Sequence, residues 1–159
     1  MRRIGILAAM AALALLSQPA GAADKLTGEQ IRRAFEGNTV SGRYTWGGSF
    51  TEYHLPDGRA LGYNGWKTNT DACWTIRQDQ ICYYYGPPSA RTVYCSTLQL
   101  TAGLYVQHDA DGGRLNAMMT VEPGNPRGHT DNGKPWVCDG LISQAPGQGA
   151  PLSRRLAAR

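Results

Sequence analysis

The chain has 159 residues, a formal net charge of +4 and an apolar share of 42%, which suits one domain with a modest core and does not suit two. Its basic excess is small and partly terminal (Arg2, Arg3, Arg154, Arg155 and Arg159), so nucleic-acid binding has little support.

Residues 1–22 read as a secretory signal peptide. Arg2 and Arg3 precede an apolar run over 4–16, and Ala20-Gly21-Ala22 offers small residues at the cleavage position. The run is well short of the roughly 20 residues of a spanning helix, so no transmembrane anchor is expected in the mature chain. Lipid attachment is excluded because no cysteine lies near the cut. The arginine pair lacks the flanking elements usual for twin-arginine export. Cleavage leaves 137 of the 159 residues and, with Arg2 and Arg3 gone, takes the charge from +4 to +2. The expected location is periplasmic or secreted, with a single domain over 23–144 and a disordered basic tail over 145–159.

A helix is predicted over residues 28–36. Thr27 and Gln30 have capping-box spacing, Leu26 and Ile31 have staple spacing, and Gly37 is placed to end it. Ile31, Ala34 and Phe35 form its apolar stripe, a packing face rather than a site. From Thr39 onward, short runs rich in Tyr, Thr, Val and Trp alternate with Gly, Asp, Asn and Pro. Strands are predicted at 39–45, 49–55, 59–64, 72–77, 80–86, 91–99, 103–108 and 113–121, with tight turns at Asp57-Gly58 and Asp111-Gly112. Connections this short exclude crossover helices. The fold class is mainly β: a small antiparallel barrel or sandwich with one short N-terminal helix. Beyond Glu122 the chain turns to Gly, Pro and Asn, with one apolar island over 136–142.

The four cysteines are Cys73, Cys82, Cys95 and Cys138. Behind a leader, they are expected to form disulfides. Cys82 and Cys95 are symmetric about the double-proline loop at 86–90, so a hairpin turning there sets them opposite each other, with Tyr83 facing Tyr94 and Tyr84 facing Val93. Elimination then joins Cys73 to Cys138. No C-x-x-C and no histidine at ligand spacing point to zinc or redox chemistry instead.

The run 31–40 (IRRAFEGNTV), Phe50 to Tyr53, Asp57-Gly58, Gly62, Trp74-Thr75-Ile76 and Asp79-Gln80-Ile81-Cys82 resemble a small secreted proteobacterial family of unknown function. That family carries a leader, an opening helix, an Asp-Gly hairpin, a Gly-x-Trp strand and a cysteine pair in successive strands. The resemblance spans 26 to about 99 and implies an exported compact domain without catalytic residues to carry over. Here Ala72 stands in place of the glycine before the Trp strand, and Cys138 lies outside the shared region.

Chemical motifs are sparse. His54, His108 and His129 are the only histidines, and the cluster from His108 to Asp111 lacks the further oxygen ligands of a calcium loop, so it reads as a hairpin turn. No cofactor or metal is expected. Glu52 and His54 share one strand face and, with a Ser, would make a hydrolytic constellation, yet no Gly-x-Ser-x-Gly or His-Glu-x-x-His accompanies them. The aromatic residues remain. Tyr83, Tyr85 and Tyr94 share a face of the central hairpin, and Trp66 and Trp74 lie near in sequence. Flat rings with polar tips suit a ligand platform, and equally a core built with only two Phe. Since a disulfide and a valine suit burial, the tyrosine face is the candidate open surface or polar cavity. The sequence therefore points to a non-enzymatic binding or envelope-associated module. Its expected partner is a cell-envelope glycan, a small ligand or another exported protein. A protease or lysozyme inhibitor presenting the 86–90 loop and a motifless hydrolase are the alternatives.

Overall fold

The computed structural model describes residues 24–86, 90, 92–110 and 113–138. The segment read as a leader, the tail at 145–159, the Asp111-Gly112 turn and the centre of the double-proline loop lie outside the described residues.

Helix α1 (Gly28–Phe35) starts where the capping box predicts: Gln30 N–H donates to Thr27 Oγ1 at 3.3 Å and Thr27 N–H donates to Gln30 Oε1 at 2.8 Å. These bonds satisfy backbone donors that the first turn would otherwise leave open. Asp79 Oδ1 accepts from Gly28 N–H at 2.8 Å and ties the helix to the hairpin turn at residues 78–79. Ile31 and Phe35 are fully buried.

Nine strands follow: β1 (Asn38–Tyr44), β2 (Ser49–His54), β3 (Ala60–Asn64), β4 (Lys67–Thr68), β5 (Cys73–Arg77), β6 (Gln80–Tyr85), β7 (Thr92–Thr101), β8 (Leu104–Asp109) and β9 (Leu115–Pro123). Eight lie within a residue or two of their predicted positions, and β4 is additional. All pairings are antiparallel in the order β4-β3-β2-β1-β9-β8-β7-β6-β5. Two meanders thus join where β9 lies against β1. The product is one curled half-barrel sheet, so the sandwich alternative is not adopted. Its margins meet at a short seam: Ala60 N–H donates to Ala72 O at 3.0 Å and Trp74 N–H to Gly58 O at 2.7 Å. The Asp57-Gly58 turn therefore has a second use, because Gly58 supplies one half of the seam.

The concave face changes character along its length. Near α1 it is apolar, with Val40, Ile76, Ile81, Leu98 and Met119 packed around Ile31 and Phe35. A relay of rings then leads away from the helix. Phe35 meets His54 at 5.7 Å, His54 meets Tyr83 at 5.6 Å, Tyr83 meets Tyr85 at 6.3 Å and Tyr85 meets Tyr94 at 6.0 Å.

The convex face is crossed by the segment after β9. Thr39 Oγ1 donates to Gly124 O at 2.7 Å, Thr51 Oγ1 meets His129 Nε2 at 3.0 Å, and Arg59 bridges Asp131 at 3.1 Å. Trp136 Nε1 then donates to Ala72 O at 2.9 Å, and Cys138 is bonded to Cys73. This strap passes from one meander across the seam. Cys82 is bonded to Cys95, and the β6–β7 register sets Cys82 opposite Cys95 and Tyr83 opposite Tyr94. Cys73, Cys82, Tyr84 and Cys138 form a second small core under Trp136.

One expectation holds only in part. The disulfide face of the hairpin is not the main core face: it is convex, Val93 is 44% exposed, and Cys82 and Tyr84 are buried because the strap covers them. The tyrosine face is the concave interior. Two disulfides agree with maturation in an oxidising compartment. Among the described residues no helix is long and apolar enough to cross a membrane.

The Cys73–Cys138 link spans 65 residues and the Cys82–Cys95 link 13. Chain entropy assigns about 4 kcal/mol to the first and about 3 kcal/mol to the second. Urea unfolding of the paired Cys→Ser variants should reproduce that order. A negligible loss on removing the Cys73–Cys138 pair would show that the strap does not stabilise the closed sheet.

Candidate functional site

At the end of the half-barrel remote from α1 the interior is not filled. A cavity of about 670 Å³ opens there, lined by Tyr44, Phe50, Glu52, Asn64, Asn69, Tyr83, Tyr85 and Gln107, with Trp46, Lys67, Asp71 and Tyr94 nearer the rim. β2 explains much of it. Its alternation sends Phe50, Glu52 and His54 inward, and all three are buried. The inward row is therefore interrupted by a carboxyl.

Glu52 is 2% exposed. Asn69 Nδ2 donates to its Oε1 at 2.8 Å and the Tyr85 hydroxyl donates to the same oxygen at 3.2 Å. Gly62 supports the first contact. It stands opposite Glu52 in the β2–β3 register with φ +131°, and a Cβ there would collide with Thr51 O. Only glycine permits that approach, and Gly62 O then accepts from Asn69 N–H at 2.8 Å, drawing the β4–β5 connection over the carboxyl. Around this pair, Asn64 donates through Nδ2 to the Tyr85 hydroxyl and accepts from the Tyr44 hydroxyl at 3.0 Å.

Burial pushes Glu52 up from an ordinary 4.5 to about 7, against the smaller downward pull of the bonds from Asn69 and Tyr85. Burial, and after it the nearby Glu52, likewise pushes the phenols of Tyr44, Tyr83 and Tyr85 above their ordinary range.

The rim is aromatic. Trp46, in the β1–β2 turn, stacks on Tyr44 with ring centroids 5.1 Å apart and planes 10° from parallel, and it meets Trp66 at 5.2 Å. Its indole lies on Gly48, where a Cβ would strike the ring. Trp46 is 56% and Trp66 86% exposed.

The three tyrosines singled out from the sequence all line this cavity, at different depths. Tyr83 is buried and its hydroxyl meets His54 Nε2 at 2.8 Å; Tyr85 is half-buried; Tyr94 is 57% exposed. Tyr83 is thus packing and Tyr94 is surface, so the platform and core readings each describe part of the set. Trp66 and Trp74 are not partners: Trp66 is exposed beside Trp46, outside the cavity lining, whereas Trp74 is in the core with Nε1 donating to Leu55 O at 3.0 Å. Glu52 and His54 share a face as expected but do not form an acid–base pair. Burial pushes His54 down from 6.5 to about 3, and its partner is Tyr83. His108 lies on β8 beside the Asp109–Arg114 ion pair of 3.5 Å. Among the described residues no group of three or more His, Cys, Asp or Glu is arranged to hold a metal ion.

Sequence reasoning did not find Tyr44, Trp46, Asn64 or Asn69. The available signal was Glu52 itself, a carboxyl at an inward position between Phe50 and His54. Comparison of the chain with protein-family models, curated proteins and solved structures finds no match.

The raised Glu52 value has a definite sign in stability. The folded state holds this proton more tightly than the unfolded chain, so its contribution is complete below pH 4.5 and is lost as pH rises through about 7. The loss is about 3 kcal/mol. His54 acts oppositely: its depressed value makes stability fall as pH drops below 6.5. Urea unfolding of the wild type and Glu52→Gln between pH 4.5 and 8.5 separates the two, because His54 is common to both. The variant should gain about 3 kcal/mol relative to wild type across that range. Parallel curves would mean that Glu52 titrates as an exposed carboxyl.

Proposed function

We propose that this chain is an exported binding module, periplasmic or secreted, that takes a small ligand in the open end of its half-barrel. The observation that carries this reading is the unfilled concave end, where a sheet otherwise packed from α1 onward leaves about 670 Å³ between aromatic walls. Small-molecule sites commonly have volumes of about 300–1,000 Å³, with mainly apolar walls and a few convergent polar groups. Exposed Trp46 and Tyr94 at the rim suit capture, and the buried Glu52 network suits orientation. The leader-like start and the two disulfides support export. A cell-envelope glycan fragment and a free small molecule both fall within this reading. A hydrolase is less well supported, since His54 is neutral and engaged by Tyr83. The centre of the loop required by the inhibitor alternative lies outside the described residues.

Tryptophan fluorescence titration with N-acetylglucosamine, N-acetylmuramic acid and choline tests the module reading. At least one compound should give a saturable change that Trp46→Ala and Tyr94→Ala each weaken by about 10-fold, the scale of a hot-spot aromatic. Tyr94→Ala should leave stability within about 0.5 kcal/mol, as surface changes do, whereas Tyr83→Ala should cost about 3–5 kcal/mol. Saturation by none of the three, or saturation indifferent to both rim substitutions, would refute a ligand site at this end.

A further inference from the structure

We infer that the ligand of this cavity is a small organic cation, an ammonium or quaternary ammonium group held among the aromatic walls with Glu52 as its counter-ion. This rests on the binding-module reading above and names its ligand class.

The first observation is charge without a partner. Glu52 is 2% exposed, yet none of the ion pairs among the described residues includes it. Its hydrogen bonds come from a neutral amide and a phenol, and both fall on Oε1. Oε2 is left as an acceptor on a side chain that lines the cavity. Buried carboxylates are ordinarily matched by a cation, and none of the described residues supplies one at the base. Lys67 is exposed at the rim, and Asp71 also lines the cavity, so the lining is net negative once Glu52 ionises.

The second observation is that the amide donors deep in the cavity are engaged within the protein, while the other polar lining residues, among them Thr68, Thr70 and Asn116, lie away from Glu52's hydrogen bonds. Asn64 serves Tyr44 and Tyr85, Asn69 Nδ2 serves Glu52 and Ala60 O, and Gln107 Nε2 donates to Ser96 Oγ at 2.9 Å. The third is the walls. Tyr44 and Trp46 form one near-parallel pair, and Tyr83 and Tyr85 another with planes 14° apart. Aromatic rings beside a buried carboxyl attract a weakly hydrated cation through their quadrupoles and give a hydroxyl-rich neutral ligand no such advantage.

Binding should therefore release a proton. In the free protein the charged and titratable groups around Glu52 are His54 on β2, Tyr44 on β1, Tyr83 and Tyr85 on β6, Tyr94 on β7, Lys67 on β4 and Asp71 before β5. A cation beside Oε2 favours the ionised carboxyl, so affinity should rise with pH across about 7.

Calorimetric titration of the purified chain with choline, with its uncharged carbon isostere 3,3-dimethylbutan-1-ol and with N-acetylglucosamine, at pH 6 and pH 8.5, tests this directly. Choline should bind at least about 10-fold more tightly than the isostere at pH 8.5. It should weaken by about 10-fold at pH 6, where about a tenth of Glu52 is ionised. Glu52→Gln, checked for folding by circular dichroism, should abolish both the preference and the pH dependence, and Trp46→Ala should weaken choline without removing its pH dependence. Equal binding of choline and isostere, or choline binding unchanged in Glu52→Gln, overturns the cation assignment. Saturable binding of N-acetylglucosamine or the isostere without choline overturns it too, while leaving the binding-module reading intact. Binding of none of the probes overturns both.

Discussion

A carboxyl taken out of water with no cation beside it among the described residues is the constraint around which the open end of this half-barrel is arranged. An unpaired buried carboxylate is costly, and proteins commonly avoid the cost by keeping the group protonated and giving it neutral hydrogen-bond partners. Glu52 has both remedies: a value pushed to about 7 and donors from Asn69 and Tyr85. Those partners come from different parts of the sheet. Asn69 is anchored by Gly62 O, and Tyr85 is held by Asn64, which also holds Tyr44. Three strands and one connection are thus positioned by a single side chain that does not fill the space above it.

The other end supplies the rigidity this needs. Helix α1 seals the apolar end with Ile31 and Phe35. The two sheet margins meet at the seam of Gly58 and Ala60 with Ala72 and Trp74, and the strap fixes that seam from outside through Trp136 and Cys138. A sheet closed at mid-length and plugged at one end can leave the other end open without losing its curl. The second core of disulfides and Tyr84 forms beneath the same strap.

Much of this was legible because local chemistry and tertiary structure agree. Thr27 and Gln30 announce the helix, alternation and Gly-containing turns announce eight strands, and the symmetry of Cys82 and Cys95 about one loop announces their register. β4 was missed because a two-residue strand, Lys67–Thr68, is too short to show a period. The face of the central hairpin was misread for a different reason. Cys82 and Tyr84 are buried by the strap, a segment without secondary structure of its own, and alternation within a hairpin cannot report what a distant segment covers. The cavity was half legible: Tyr83, Tyr85 and Tyr94 were placed on one face, but Asn64, Asn69, Tyr44 and Trp46 converge only through the curl of the sheet.

The open end is built around Glu52 as a buried carboxyl that still holds its proton about half the time at pH 7 in the ligand-free protein. Carbon-13 NMR of the side-chain carboxyl, assigned by its loss in Glu52→Gln, measures this directly. The account predicts a titration midpoint close to pH 7, well separated from the other carboxyl signals. A midpoint near 4.5 would contradict it, because the carboxyl would then be hydrated or already paired with a cation in the free protein, and ligand binding near pH 7 would release no proton from it.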